Sequence, residues 1–547
     1  MRTLFFNANI YPLFRRQSKA TAMVVEDGVI KALGRPADFT GINEQIDLDG
    51  NTVIPGFNDS HLHLLSIGEA MENLDLTGSD SPDHLRASLQ DLIEGQKIKP
   101  GEWIKGRGWD QNFYPGRTLP DKRLLDSVSP ANPVILQRAC CHLAVVNSLA
   151  LKLAGISKNT PDPPGGVIDR YPGGNEPTGI LRENAINLVA NSIAEPKPAY
   201  YKERIAQAAG ELSRHGVTSV QTDDFGSQAR FKVIYQVYQE LKNEGRLPLR
   251  VNLKVRMGNQ AEFEELVTAT GIKTGTGDQF LEIGPCKILA DGSMGGRTAA
   301  LSAPYHDQAD SCGVLIYPPD ELQAYISCAA RHGFQLAVHG IGDRAISIIL
   351  DCYQTILGEE AGRSRLSLKE AALKLRPRIV HGQLTNPDLI RRIAELGICL
   401  DIQPIFLNSD LHIAEERLGP ERIKGAYAWK TMLAQGIHLA GGSDGPVDSF
   451  IPLEGVYSAV CRRDLQGYPS GGWQREEALD VDQAIELFTR APAYHSFAEK
   501  EKGTLQPGQL ADFIVLAENP FQVEPERLKQ IKVLASYVGG ERVYPSP

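Results

Sequence analysis

The middle of the chain alternates short apolar runs with amphipathic stretches. The runs VTSVQTDD (217–224), VNLKVRM (251–257), CKILADGS (286–293), FQLAVHG (334–340), RIVHG (378–382), ICLDIQP (398–404) and IHLAGGSDG (437–445) read as buried strands. Between them, 228–245, 319–333, 343–357 and 386–397 repeat apolar residues at helical spacing. Strand, helix, strand in steady succession predicts a parallel sheet. No Gly-x-Gly-x-x-Gly turn accompanies it, so the pattern favours a closed (β/α)8 TIM-like barrel over an open dinucleotide-binding sheet.

The two ends break this rhythm. ATAMVVEDGVIKALG (20–34) sets Asp27-Gly28 between apolar strands, a hairpin signal. KVLASYVGGERVY (532–544) turns likewise on Gly539-Gly540 and follows the apolar run ADFIVL (511–516). Each end is too short to bury a core alone. The expected organisation is a small β-sandwich from residues 1–54 and 496–547 around a barrel of 55–495. The stretch 70–201, rich in Pro, Gly and aromatic clusters, reads as an insertion after the first barrel strand, large enough for its own small core and a lid.

Composition narrows the function class. Hydrophobic residues make up 42% of the 547 and charged residues 23%, as in globular proteins. The formal charge of −10 gives no global basic field for nucleic acid or an anionic membrane. No apolar run reaches a membrane-spanning length, and the first residues lack a signal peptide's apolar segment and cleavage site. The eight cysteines form no CxxC pair and several sit in apolar runs, so reduced thiols in a cytoplasmic protein are expected.

TVIPGFNDSHLHLL (52–65) holds His61 and His63 two apart, which points both imidazoles to one side of a strand and makes half a metal site. His339, His381 and Asp444 each stand where an apolar run gives way to a Gly-containing loop. Barrel active sites lie at the C-terminal ends of strands, so these five residues are expected at one mouth. Lys287, within the apolar run CKILADGS, is the sixth. Desolvation favours its neutral amine, which can add carbon dioxide to give an anionic carbamate ligand. The plainer reading is an ion pair with Asp291 or a nearby Glu.

These motifs resemble the amidohydrolase superfamily and, within it, the YtcJ-like group (amidohydrolase family 3). The resemblance rests on PGFNDSHLH (55–63), GRGWDQ (106–111), KILADGSMGGRTAAL (287–301), AVHGIGDRA (337–345), RIVHGQ (378–383), GGSDGPV (441–447) and GTLQPGQLADFIVL (503–516), and it spans essentially the whole chain. It implies a barrel, a β-sandwich from both termini and one or two divalent ions, usually zinc. By that resemblance His61, His63 and Asp444 hold one ion, His339 and His381 the second, and N-carboxylated Lys287 bridges them. Asn58 and Gly296 depart from the family pattern, but neither removes a ligand.

The expected reaction is hydrolysis of a non-peptide C–N bond in a small molecule, with Asp444 as general base toward a metal-activated water. One alternative is a mononuclear, deaminase-type site with unmodified Lys287. The other is a barrel without catalysis that serves binding or assembly. Trp109, His142 and Arg297 are substrate-side candidates, Asp223 and Asp224 are candidates for the mouth, and Asp343 reads as a helix N-cap. The resemblance admits a homodimer.

Overall fold

The computed structural model describes residues 1–12, 20–96, 98–138, 143–163, 166–183, 185–193 and 195–545. His142 lies outside them. The chain divides into two compact units, Met1–Ile67 with Tyr201–Pro547, and Gly68–Tyr200.

The first unit contains a nearly closed parallel barrel. Its strands, in spatial and chain order, are Phe57–Leu62, Val217–Thr222, Arg250–Val255, Leu281–Leu289, Leu336–Gly340, Arg378–His381, Cys399–Ile402 and Leu439–Gly441. Alternation in the register brings the chemistry-bearing positions into adjacent rows, with Leu289 opposite His339 and Gly340 opposite His381. The first and last strands meet through side-chain and loop contacts. Asp444 donates its N–H to His61 O (2.7 Å), and His63 donates to Gly445 O (2.9 Å). The buried Asp59 carboxylate accepts from the N–H groups of both His61 (2.9 Å) and Ser443 (3.0 Å).

Helices follow the strands as their patterns predict. Gln228–Asn243 is capped by Ser227 and Pro387–Leu396 by Asn386, the latter ending at left-handed Gly397. The helix expected over 343–357 extends to Ser364. Gly342, and not Asp343, takes its N-cap position. Asp343 sits one residue further in, and its carboxylate accepts from Ser302 N instead. The run 437–445 yields a strand only over Leu439–Gly441, because the Gly-rich remainder folds into the loop that carries Asp444.

Both chain ends feed one eight-stranded sheet. Thr52–Pro55, directly ahead of the first barrel strand, pairs antiparallel with Phe513–Leu516 near the far end. The two hairpins turn on Asp27-Gly28 and Gly539-Gly540, all four at positive φ. Phe5, Phe513 and Tyr537 pack together in its core. Among the described residues, no helix is long and apolar enough to cross a membrane.

The second unit is a six-stranded sheet buried on both faces. Val134, Leu136, Leu143, Val145 and Ile180 enter one core, while their neighbours Ile135, Ala144, Val146 and Leu181 enter the other. Trp109, a candidate pocket wall, is instead wholly enclosed in the first of these cores, with its indole N–H donated to Leu136 O (2.9 Å).

A buried ion pair ties the barrel to the terminal sheet. Arg250, opening the third barrel strand, donates Nε and Nη2 to the two oxygens of Asp512 (2.7 and 2.9 Å), which also accepts Gly539 N (2.8 Å). Removing one partner leaves an uncompensated buried charge. Asp512→Ala is therefore expected to destabilise the full chain by about 3–5 kcal/mol in denaturant unfolding. The Arg250→Met/Asp512→Leu pair should lose less than Asp512→Ala, and additive losses would refute the coupling.

Candidate metal centre

The first barrel strand is buried along its whole length, and it ends in the histidine pair. The rings of His61 and His63 lie 5.2 Å apart. The loop after the eighth strand comes so close that a Cβ on Gly442 would stand 2.7 Å from His61 N, so glycine is required there. That approach delivers Asp444, itself at φ 55, onto both rings. Its Oδ1 is 3.0 Å from His63 Nε2 and 3.3 Å from His61 Nε2. Ligand atoms of His61, His63 and Asp444 all fall within 4.8 Å of one another.

His339 and His381 face each other at 4.5 Å between ring centroids, and His381 lies 5.8 Å from His61. Lys287 Nζ reaches His61 Nε2 at 2.8 Å. All six residues singled out in the sequence thus meet in one chain of contacts at the strand ends. The ion pair between Lys287 and Asp291 is not formed. The Asp291 carboxylate turns instead to the N–H groups of Ile341, Gly342 and Ala300.

Outer hydrogen bonds set the tautomers. His63 Nδ1 faces Asp223 O (2.8 Å) and His339 Nε2 faces Gly292 O (3.0 Å), so each of these nitrogens must donate. His381 Nδ1 faces Gln403 Oε1 (2.6 Å), and the Gln403 amide is oriented because its Nε2 donates to Asp401 O (3.1 Å). In their neutral forms these three rings turn a lone pair inward, the arrangement that outer partners impose on metal-ligating histidines. Burial holds His339 well below the ordinary imidazole range and His381 down at about 4. Burial also lowers His63, but the hydrogen bond and charge of Asp444 outweigh it and raise the net value. Burial would raise Asp444, yet His63, His381 and Lys287 bring it down to about 2, so it is a carboxylate. Imidazole nitrogens and carboxylate oxygen, inward-facing and with supported outer atoms, fit a divalent cation of the zinc type.

Beneath this cluster lies a charged layer that the sequence reading missed. Lys254 Nζ bonds Ser60 O (2.7 Å) and His61 Nδ1 (3.0 Å). Arg378 donates to Asp401 (2.9 Å from Nε), Gln221 Oε1 (2.7 Å) and Ser60 O (3.1 Å). His495 Nδ1 holds the other oxygen of Asp401 at 2.8 Å. Burial would raise Asp401, but the charges of Arg378 and Lys254 keep it below the usual carboxylate range. Lys254 lies in the apolar run VNLKVRM and so carries the same signal that drew attention to Lys287.

The remaining candidates divide. Asp223 is buried at the end of the second strand, its backbone oxygen on His63 and its carboxylate on Arg256 Nε (2.9 Å). The Asp224 carboxylate accepts from Leu65 N, Thr222 and Tyr238. Arg297, at φ 57, pairs with Asp307 (2.6 Å). A cavity of about 760 Å³ lies elsewhere in this unit, with Leu301, Asp343, Asn386, Arg422 and Glu477 among its walls. None of the six clustered residues lines it, so ligand chemistry and not cavity size marks the centre.

The comparisons agree with this architecture. Residues 44–544 match the model of the amidohydrolase family. The protein YtcJ of Bacillus subtilis is 34% identical over 100% of this chain and 99% of its own length. The N-substituted formamide deformylase of Arthrobacter pascens is 28% identical over 98% of this chain and 97% of its own. The structure of an uncharacterized metal-dependent hydrolase from Pyrococcus horikoshii superposes with a TM-score of 0.78, at 28% identity over 96% of this chain and 99% of that one. Family match and relatives together support a metal-dependent hydrolase, and the chain belongs to the amidohydrolase family.

Proposed function

We propose that the protein hydrolyses a carbon–nitrogen bond in a small amide-like molecule, with Asp444 as the general base. The observation that carries this reading is the convergence of His61 Nε2, His63 Nε2 and Asp444 Oδ1 within 4.8 Å of one another at the barrel's strand ends. In this proposal His61, His63 and Asp444 hold one zinc-type ion and His339 with His381 hold a second. Lys287, carboxylated on Nζ, would add an anionic oxygen ligand. A divalent cation so held supplies Lewis acidity toward a carbonyl and makes water acidic near neutral pH.

The chain's own groups do the rest. Asp444 is kept ionised, its Oδ1 on the two histidines, and Oδ2 takes the proton from water and hands it to the leaving nitrogen. Asp223 O, Gly292 O and Gln403 Oε1 keep the imidazoles in the required tautomers. The formamide deformylase relative makes N-substituted formamides the first substrates to try. In the same proposal the terminal sheet is a β-sandwich and residues 70–201 form a lid subdomain. The free thiols among the described cysteines fit a cytoplasmic setting.

A single-ion, deaminase-type site is the second reading. In that reading Lys287 stays an amine, its Nζ 2.8 Å from His61 Nε2. Metal per chain, measured after reconstitution with and without bicarbonate, separates the two. About two ions with bicarbonate and fewer without supports the carbamate, whereas one ion regardless supports the plain lysine.

Asp444→Asn is expected to keep most of the metal and to lower kcat on a formamide and acetamide panel by about 100- to 10,000-fold. Wild-type turnover retained in this variant would remove Asp444 from the mechanism. Gln403→Ala, which deprives His381 Nδ1–H of its acceptor, is expected to weaken metal binding by about 10- to 100-fold in a chelator competition. Dialysis against a strong chelator should lower the thermal midpoint, with zinc restoring it. An unchanged midpoint and unchanged activity would overturn the metal reading.

A further inference from the structure

The turn after the seventh barrel strand carries a second group of polar residues beside the centre. Residues Pro404–Phe406 run directly into the helical turn Leu407–Asp410, and Phe406 and Leu411 both keep right-handed helical dihedrals. Phe406 and Asp410, four apart, therefore share a face, at about 5–6 Å between Cβ atoms. The Phe406 ring stacks on His381 (5.9 Å between centroids, 15° between planes). Asp410 thus stands about one helical turn from a ring that covers one of the six clustered residues.

Two donors hold one side of this carboxylate. Tyr427 OH (2.7 Å) and Gln383 Nε2 (3.0 Å) both go to Oδ2, and among the described residues Oδ1 receives none. Gln383 is only 4% exposed. Its amide is oriented, because Nε2 must face the carboxylate and also lies 3.1 Å from Tyr427 OH. Gln383 Oε1 is consequently a buried acceptor, and it has no hydrogen-bond partner among the described residues. Asp448, four residues after Asp444, binds Asn408 Nδ2 (3.2 Å) and Ser409 Oγ (3.5 Å), the two residues just before Asp410.

The group is built and held. Tyr427 sits at φ 54, a strained conformation for a bulky side chain. It is kept there by its N–H on Gln383 O (2.9 Å), by Arg462 Nη1 on its own carbonyl (3.0 Å), and by the rings of Trp429 and Trp473. Asp410, Asp448 and Gln383 Oε1 offer acceptors, and neither carboxylate has a basic partner among the described residues. Burial pushes both carboxyls up to about 6, with Asp448 adding repulsion at Asp410. Ser449 N also donates to Asp448 Oδ1 (2.7 Å), so what the group lacks among the described residues is a positive charge, and a donor at Asp410 Oδ1 and Gln383 Oε1; a protonated amine brings both.

We propose that Asp410, with Gln383 and Asp448, forms a subsite for a cationic nitrogen of the substrate, so that the amide cleaved carries a protonated amine remote from its scissile bond. The proposal deepens the hydrolase reading and rests on it for the position of the scissile bond. Asp410 and Asp448 accept from the ammonium while Gln383 Oε1 takes one of its N–H groups.

The test uses the zinc-loaded full-length protein at pH 8, where both carboxylates are ionised, and two isosteric probes. These are N-formyl-1,5-diaminopentane, which ends in an ammonium, and N-formylhexylamine, which ends in a methyl. By calorimetric titration the wild type is expected to bind the cationic probe about 10- to 100-fold more tightly. That gap should close in Asp410→Asn and narrow in Asp448→Asn and Gln383→Met. Equal affinities in the wild type, or a gap that persists in Asp410→Asn and Asp448→Asn, would overturn the subsite. If Asp410→Asn fails to fold, the Asp448→Asn and Gln383→Met ratios decide. Hydrolysis of the same probes is followed separately. An affinity gap without hydrolysis would remove the amide-hydrolase reading and leave the subsite standing, and hydrolysis without a gap would do the reverse.

Discussion

Lone pairs of like kind repel when they are crowded together away from water. The strand ends of this barrel gather imidazole nitrogens from four histidines and a carboxylate oxygen, and the groups behind three of those rings enforce the crowding. Backbone oxygens of Asp223 and Gly292 take the outer N–H of two rings, and Gln403 takes that of a third. A ring whose outer nitrogen must donate can relieve the inner repulsion only by taking on a second proton or by facing a cation. Burial opposes the second proton at His339 and His381. The choice between proton and cation is thus made largely by residues that do not touch the space in question.

The layer beneath explains how such a cluster stays in register. Asp401 joins Arg378 and His495, and Arg378 reaches across the barrel to Gln221 and Ser60. The contacts cross from the seventh strand to the sixth, the second and the first. Charged groups this deep are tolerated because each answers another, and the directionality of the bonds fixes strand against strand in a way that an apolar filling does not. Asp59 does similar work where it joins the first strand to the loop bearing Asp444.

Much of this was legible in the chain, and what escaped did so for physical reasons. Periodicity located the barrel strands, and histidines at the ends of apolar runs identified the cluster, because a polar residue closing a buried strand has few structural uses. The family followed from the same motifs. Lys254 was missed although it stands in an apolar run as Lys287 does, since its partners, Ser60 and His61, come from a strand far away in the sequence. Trp109 misled because a motif shows that an aromatic residue matters without showing whether it faces a ligand or a core. Asp343 misled by a single position, which is enough to move a carboxylate from a capping role to a neighbouring loop. The Phe406–Asp410 face could not have been read at all, because helical continuity across a Pro-led turn is visible only in the backbone.

The sheet built from both ends bears on how the molecule comes into being. Thr52–Pro55 leaves the ribosome long before its antiparallel neighbour Phe513–Leu516. Until that neighbour emerges, the first strand must wait with an unsatisfied edge, exposed to wrong pairing and to proteases. The barrel strand that bears the paired histidines begins two residues beyond it. Assembly of the reactive end of the barrel is therefore coupled to the emergence of Phe513–Leu516, and a chain cut short before that strand would lose the anchor of its first barrel strand while keeping every side chain of the cluster.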